Sequence, residues 1–157
     1  MAVLDSVDWQ LLALLQNDAS RTNAWLASQV GLAPSSCLER VRRLRRLGVI
    51  TGIRAIVEPA ALGRPLQAML AVQLRPHSRE LVDRFTRAAL ALPETLALYN
   101  VSGPEDYFLH VAVTDSRHLQ QIIVDDLATR PEVGHCQTHL VFDRPITAPV
   151  RPVKERA

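Results

Sequence analysis

A basic amphipathic helix in the first third of the chain most constrains how the chain can fold. Residues 31–50, GLAPSSCLERVRRLRRLGVI, place five arginines among the seven positions from Arg40 to Arg46. At about 100° per residue, Cys37, Val41 and Leu44 fall on one narrow arc. The opposite arc holds Ser35, Glu39, Arg42 and Arg46, with Ser36 and Arg43 at its edge. The pattern predicts a helix that buries one face and exposes a strongly cationic one.

The arginines of this helix predict an anionic partner. A solvated surface helix held by local ion pairs is the simpler interpretation, but Glu39 is the only acid available to the five arginines, and like charges four residues apart repel. The whole chain carries a formal net charge of only +2. Residues 1–65 hold eight arginines and five acids (+3), whereas residues 66–157 hold ten basic and eleven acidic residues (−1). This local surplus predicts a nucleic-acid partner for the first part of the chain.

Two helical patterns precede the basic helix. Residues 4–16 have Asp5 or Ser6 as N-cap and an apolar stripe of Val7, Leu11, Leu12 and Leu15. Residues 23–30 form a shorter pattern, and Gly31 suits the left-handed turn that follows it. A helix, a glycine turn and a basic helix predict a helix-turn-helix, whose second member enters a DNA groove. Beyond Gly48, β-branched alternation around Thr51-Gly52 predicts a small hairpin, or wing.

The rest of the chain alternates strand and helix patterns. Strands are predicted at 66–74, 96–102, 107–113 and 133–142, and helices at 78–92 and 116–129. The order βαββαβ predicts a ferredoxin-like unit, with two helices on one face of a four-stranded antiparallel sheet. The fold class is therefore α+β. We expect a winged helix-turn-helix domain at 1–57, a linker rich in proline and glycine at 58–65, the βαββαβ domain at 66–143 and an extended tail at 144–157.

The predicted sheet is partly apolar on both faces. In the last strand Cys136, Thr138, Leu140 and Phe142 alternate with His135, Gln137, His139 and Val141. A sheet with one solvated face alternates more cleanly. The pattern therefore predicts a homodimer in which a second subunit covers the face that carries no helices.

Several classes of protein and site are disfavoured by the sequence. No apolar run approaches the roughly 18 residues that span a bilayer, and MAVLDSVD lacks a signal-peptide pattern, so we expect a cytoplasmic protein without a membrane partner. Two cysteines predict reduced thiols. His135 and His139 lie about 13 Å apart on a strand, too far to share a zinc ion, and we expect neither a metal nor a cofactor. No catalytic motif is visible, so we expect no enzyme.

Four motifs make the sequence resemble the Lrp/AsnC (feast/famine) bacterial transcription regulators. They are LDxxDxxLLxLLQxD at 4–18, LAxxVGLxPSxCLERVRRL at 26–44, GVIxGI at 48–53 and VSGxxDY at 101–107. The resemblance covers almost the whole chain, and the CLERVRRL stretch is its most specific part. It implies an N-terminal winged helix-turn-helix, a C-terminal amino-acid-sensing (RAM) domain, dimers built by sheet-to-sheet contact and often octamers. The function that it implies is sequence-specific transcriptional regulation through double-stranded DNA, with a small amino acid as effector.

For DNA, serines at the start of the basic helix offer hydroxyl donors, and its arginines offer contacts to phosphates and guanines. The predicted DNA-binding residues are Ser35, Ser36, Glu39, Arg40, Arg42, Arg43 and Arg46. The family commonly has serine where this chain has Ala33, so we expect the helix to be capped either by Ser35 or by a Ser36–Glu39 capping box.

For the effector, the loop between the second and third strands offers acceptors for an ammonium group and backbone donors for a carboxylate. The predicted effector-binding residues are Asn100, Ser102, Gly103 and Asp106, joined by Thr138, which corresponds to a position near the family's effector pocket. Asp106 is expected either to bind the ammonium group or to fix the loop. Pro104 stands where the family often has an acid.

Two alternatives belong to other classes. Sirohaem decarboxylases share this architecture, and His110 and His139 resemble groups placed beside a tetrapyrrole, but such an enzyme has no need of an arginine-rich recognition helix. An amino-acid sensor without a DNA function is disfavoured by the same helix. A regulator that does not sense through the predicted pocket also remains open.

Overall fold

The computed structural model describes residues 3–75, 78–143 and 149–152, which fall into two compact units. The first unit holds the described residues up to 55 together with 149–152, and the second unit holds those from 56 to 143. Within the described ranges, no helix is both long and apolar enough to cross a membrane.

Three helices make up the first unit, and they confirm the predicted helix-turn-helix. They are α1 (Ser6–Asn17), α2 (Asn23–Gln29) and α3 (Pro34–Arg46). The side chain of Asp5 accepts a hydrogen bond from the backbone N–H of Asp8 and caps α1, and Thr22 caps α2 in the same way. The core of the unit is built from Leu11, Leu26, Ala27 and Cys37, and Val41 and Leu44 are also buried.

The predicted cap of α3 is wrong. The helix begins at Pro34, with Ala33 as its N-cap residue and no side-chain cap, so neither Ser35 nor a Ser36–Glu39 box caps it. Proline at the first helical position has its φ already set for the helix and lacks one of the N–H groups that a cap would satisfy. The start of α3 is therefore fixed by proline.

The predicted wing hairpin around Thr51-Gly52 is also wrong, because residues 51–58 carry no strand. A two-residue hairpin turn at Thr51-Gly52 would need a positive φ at one or both of these residues. Neither Thr51 nor Gly52 has one. Ile53, Ile56 and Val57 lie exposed along this segment.

The C-terminal segment returns to the first unit. The Gln16 side chain, on α1, donates a hydrogen bond from Nε2 to the Val150 carbonyl (3.1 Å) and accepts one at Oε1 from the Val150 N–H (2.7 Å). The two bonds satisfy both the N–H and the carbonyl of Val150, as a neighbouring β-strand would. Of the tail predicted at 144–157, only residues 149–152 lie within the described ranges.

The second unit confirms the predicted βαββαβ order. Its elements are β1 (Leu66–Leu74), α4 (Arg79–Ala91), β2 (Thr95–Asn100), β3 (Tyr107–Val113), α5 (Ser116–Gln121) and β4 (Val133–Val141). The strands are antiparallel in the order β2-β3-β1-β4. Beyond α5 the chain continues as a π-helix over Ile122–Ala128, where one continuous α-helix was predicted. The predicted linker contains a 3₁₀ turn at Pro59–Leu62 that ends at Gly63 with φ 77°.

Both helices pack on one face of the sheet. Phe85 and Ala89 of α4 and Leu119 of α5 join Leu70, Val72, Leu109 and Val111 of the strands in one buried cluster. Alternate strand residues point to the opposite face. There Tyr99, Phe108, Ala71 and Gln137 lie in register across the four strands, and the side chain of Tyr99 is exposed.

Candidate nucleic-acid interface and effector loop

The outer face of α3 carries the predicted DNA-binding side chains. Arg46 Nη2 lies 2.9 Å from Glu39 Oε1, and both side chains are exposed. This hydrogen bond, followed by the charge of Arg46, holds the pKa of Glu39 below its ordinary value. Arg42 and Arg45 form no hydrogen bond or ion pair with the described part of the chain. The outer face therefore keeps a surplus of positive charge.

Two arginines of α3 have partners that the sequence interpretation missed. Arg40 Nη1 donates to Asp5 Oδ2 (2.6 Å) and to Asp8 Oδ1 (2.9 Å). Arg43 donates from Nη1 to Asp8 Oδ2 (3.0 Å) and from Nη2 to the Val3 carbonyl (3.2 Å). The prediction that Glu39 is the only acid available to the arginines is therefore wrong. The spacing of Asp8 before Leu11 and Leu12, on the apolar stripe of α1, was the signal that it points inward.

These contacts shift the pKa values of Asp5 and Arg40. The pKa of Asp5 is lowered, first by the hydrogen bond from the Asp8 N–H and then by that from Arg40. The pKa of Arg40 is raised by its hydrogen bonds to Asp5 and Asp8. At neutral pH Asp5 and Arg40 therefore form an ion pair.

The start of α3 is an open surface depression of about 490 Å³ lined by Ser35, Ser36, Glu39, Arg40 and Arg43. The structure thus brings five of the seven predicted DNA-binding residues together. Asn23, at the start of α2, donates from Nδ2 to the Pro34 carbonyl (2.7 Å) and ties the first turns of the two helices together. Uncapped N–H groups at a helix start favour a phosphate group.

The predicted effector loop joins β2 to β3, and Asp106 holds it in place. Asp106 Oδ2 accepts from the Leu74 N–H (2.7 Å), and its own N–H donates to the Val72 carbonyl (3.0 Å). Its carbonyl accepts from Asn100 Nδ2 (3.2 Å). Of the two predicted roles for Asp106, the structure supplies the contacts of the second, which is to fix the loop. Gly103 has φ 130°, a conformation that favours glycine.

Glu105, which sequence reasoning passed over, is the unsatisfied group of this loop. Within the described ranges its Oε2 is buried and has no hydrogen-bond partner. It lies near Cys136, whose pKa is raised first by burial and then by the charge of Glu105. Thr138 lies two residues beyond Cys136 on the same face of β4. Buried carboxylate oxygens normally have a hydrogen-bond donor, so Glu105 Oε2 is a candidate contact for a donor from outside the described residues.

The histidines belong to no candidate metal cluster in the described part of the chain. No group of three or more His, Cys, Asp or Glu side chains there is placed to hold a metal ion. His110 and His139 lie on either side of Met69 in the sheet, and His110 Nε2 is hydrogen-bonded to Gln67 Oε1 (3.1 Å). The His110 side chain is therefore hydrogen-bonded to a neighbouring strand of its own sheet.

Comparison with known families assigns both units. Residues 4–45 match the model of the AsnC-type helix-turn-helix domain, and residues 67–150 match that of the Lrp/AsnC ligand binding domain. The HTH-type transcriptional regulator AldR of Mycobacterium tuberculosis is 40% identical over 142 residues, which cover 90% of this chain and 79% of AldR. The leucine-responsive regulatory protein of Escherichia coli is 34% identical over 140 residues, 89% of this chain and 85% of that protein.

Solved structures agree with these matches. A transcriptional regulator from Neisseria meningitidis in complex with L-methionine has a TM-score of 0.87 at 28% identity, covering 94% of this chain and 96% of that one. Escherichia coli AsnC has a TM-score of 0.83 at 26% identity, covering 96% and 100%. The relatives are transcriptional regulators, and nothing among them supports the decarboxylase alternative.

Proposed function

We propose that this chain, which belongs to the Lrp/AsnC family of transcriptional regulators, binds double-stranded DNA through α3 as a homodimer and senses a small amino acid through its second unit. Its place of action is the cytoplasm, where the DNA lies. Two parts of this proposal go beyond family membership, namely the effector and the dimer.

The buried oxygen of Glu105 carries the effector proposal. An amino acid brings an ammonium group with three donors, which suits a carboxylate oxygen that has no partner among the described residues. Gly103 lets backbone N–H groups approach the carboxylate of the ligand closely, and Asp106 keeps the loop in register with β1. Asn100, Ser102 and Thr138 supply polar neighbours. The L-methionine bound to the related Neisseria meningitidis regulator belongs to the same chemical class.

The helix-free sheet face supports the dimer. Tyr99 is 52% exposed there and lies opposite Phe108 in the register of the sheet. Aromatic side chains on an exposed patch are typical of protein interfaces. A two-fold arrangement through this face presents two copies of α3, so the DNA site should be roughly palindromic, with half-sites about 10 base pairs apart or a multiple of that. Dimers of this kind are proposed to assemble further, towards octamers.

Calorimetry with each of the twenty amino acids tests the effector proposal. We expect heat from one or a few of them, and we expect Glu105→Gln to remove it because the amide cannot neutralise an ammonium group. Glu80→Gln, an equal change of charge at an exposed position of α4, is the matched control and should bind as the unmodified protein does. No heat from any amino acid, with DNA binding intact, would leave a regulator that does not sense through this loop.

A further inference from the structure

We infer that Asp8 divides the arginines of α3 into two functional sets, and that it is a positioning residue for specific DNA binding. Arg40 and Arg43 are held by the start of α1 and fix the orientation of α3, whereas Arg42, Arg45 and Arg46 remain for phosphates and bases. This inference rests on the proposed DNA-binding role of α3.

The first argument is geometric. Each carboxylate oxygen of Asp8 accepts one guanidinium N–H, at 2.9 Å from Arg40 and 3.0 Å from Arg43. Asp8 Oδ2 also accepts from the Asp5 N–H at 3.3 Å. Two arginines one turn apart on α3 thus converge on one carboxylate of α1. Such a pair of contacts fixes both the position and the rotation of α3 about its own axis.

Burial decides how firmly these contacts hold. The side chain of Asp8 is only 1% exposed, although the guanidinium groups of Arg40 and Arg43 are partly exposed. A buried carboxylate keeps its partners because water cannot replace them. The ion pair between Arg46 and Glu39 is different, since both side chains are more than half exposed. A phosphate can displace Glu39 from Arg46 but cannot reach between Asp8 and its arginines at comparable cost.

The angular positions of the arginines lead to the same division. Arg42 and Arg46 lie on the arc opposite the buried Cys37, and Arg45 lies on the flank away from Arg40. Arg40 and Arg43 lie on the flank that meets α1, as their contacts with Asp5 and Asp8 confirm. The charges of this flank, two arginines and the two aspartates that they contact, sum to zero. The arginines held there therefore add little to the electrostatic attraction between α3 and DNA.

The consequence concerns specificity. Arginines that are free to move bind phosphates of any sequence, because counterion release does not depend on the bases. Holding two of them against α1 removes that non-specific contribution and presents the remaining side chains at a fixed angle to the groove. Asp8 therefore favours the operator over other DNA without contacting either.

The test uses the full-length protein and fluorescence anisotropy between about 50 and 200 mM salt. The probes are a mixed-sequence duplex of roughly 30 base pairs, about three helical turns, and a duplex selected by the protein from random sequence. Asp8→Asn should steepen the log–log salt dependence on the mixed duplex by about 0.9 to 1.8 per helix, as one or two arginines gain phosphates. The ratio of affinities for the selected and the mixed duplex should fall at least several-fold. Asp83→Asn, which adds the same charge in the second unit, should change neither quantity.

A second pair of variants tests the division of the arginines even if Asp8→Asn does not fold. Arg42→Ala should flatten the salt dependence by about 0.9 per helix. Arg43→Ala keeps the contact between Arg40 and Asp8 and should leave the slope unchanged, while lowering the unfolding temperature. Equal flattening by both variants overturns the division of the arginines but leaves DNA binding by α3 intact. No effect on DNA affinity when Arg42, Arg45 and Arg46 are all replaced by alanine would instead overturn the DNA-binding role of α3 itself.

Discussion

Replacing Arg84 with methionine should destabilise the second unit by about 2 kcal/mol, because it removes the main partner of a buried carboxylate. Arg84, on α4, donates to both oxygens of Glu132, at 3.2 and 2.7 Å, and the Glu132 side chain is only 1% exposed. After the substitution Arg130 remains, with its Nη1 3.9 Å from Glu132 Oε1. Breaking a fully buried pair costs about 3–5 kcal/mol. Because Arg84 is 48% exposed, solvent screens its charge, and we take a value below that range.

Differential scanning calorimetry measures this effect directly. For a unit of this size, about 2 kcal/mol corresponds to a fall of roughly 8–16 °C in the transition of the second unit. Methionine retains the apolar stem and the helix propensity of arginine, so the loss reports the guanidinium group. Arg87→Met, an exposed position on the same helix, is the control and should cost less than about 0.5 kcal/mol. Equal shifts for the two variants would refute the argument that burial of Glu132 sets the cost.

Three further results are expected. Gly103→Ala should lower the urea midpoint of the second unit, and weaken any amino-acid binding, because a side chain at φ 130° is strained by about 1–3 kcal/mol. Phe108→Glu should convert the dimer into a monomer in light scattering, whereas Leu90→Glu, at an exposed position of α4, should leave the dimer intact. The hydrogen bond from Arg84, the largest cause, lowers the pKa of Glu132 from its ordinary value of 4.5. The stability that Glu132 contributes is therefore complete above about pH 4.5 and lost as the pH falls through the lowered pKa, and urea titrations of Glu132→Gln should lack this loss.

The strongly periodic elements of this fold were predictable from sequence. Both β1 and β3 begin and end at the residues predicted for them from the apolar pattern. In each case a single local signal agrees with the tertiary packing. The predicted wing hairpin is wrong because the local signal was incomplete. Alternating β-branched residues do not by themselves supply the positive φ of a tight hairpin turn.

The partners of the charged side chains were harder to predict than the helices and strands. The pairing of Arg40 and Arg43 with Asp8 joins residues more than thirty positions apart, and a helical wheel of α3 alone contains no information about α1. In the effector loop, both acids of the PEDY stretch suited an ammonium group by residue type. The two acids differ because the Leu74 N–H donates to Asp106 Oδ2, whereas Glu105 Oε2 has no donor in the described part of the chain. Hydrogen bonding between residues far apart in sequence therefore decides which of the two acids can accept from an ammonium group.

The return of the C-terminal segment to α1 has a topological consequence. Since Val150 is bonded to Gln16, the polypeptide leaves the first unit near residue 55 and comes back to it after residue 143. In chain order the second unit is therefore an insertion between two segments of the first unit. A proteolytic cut after residue 143 would leave the second unit covalently linked to the helix-turn-helix through residues 56–65. A cut within residues 56–65 would instead leave the two fragments joined by noncovalent contacts, such as the hydrogen bonds between Gln16 and Val150.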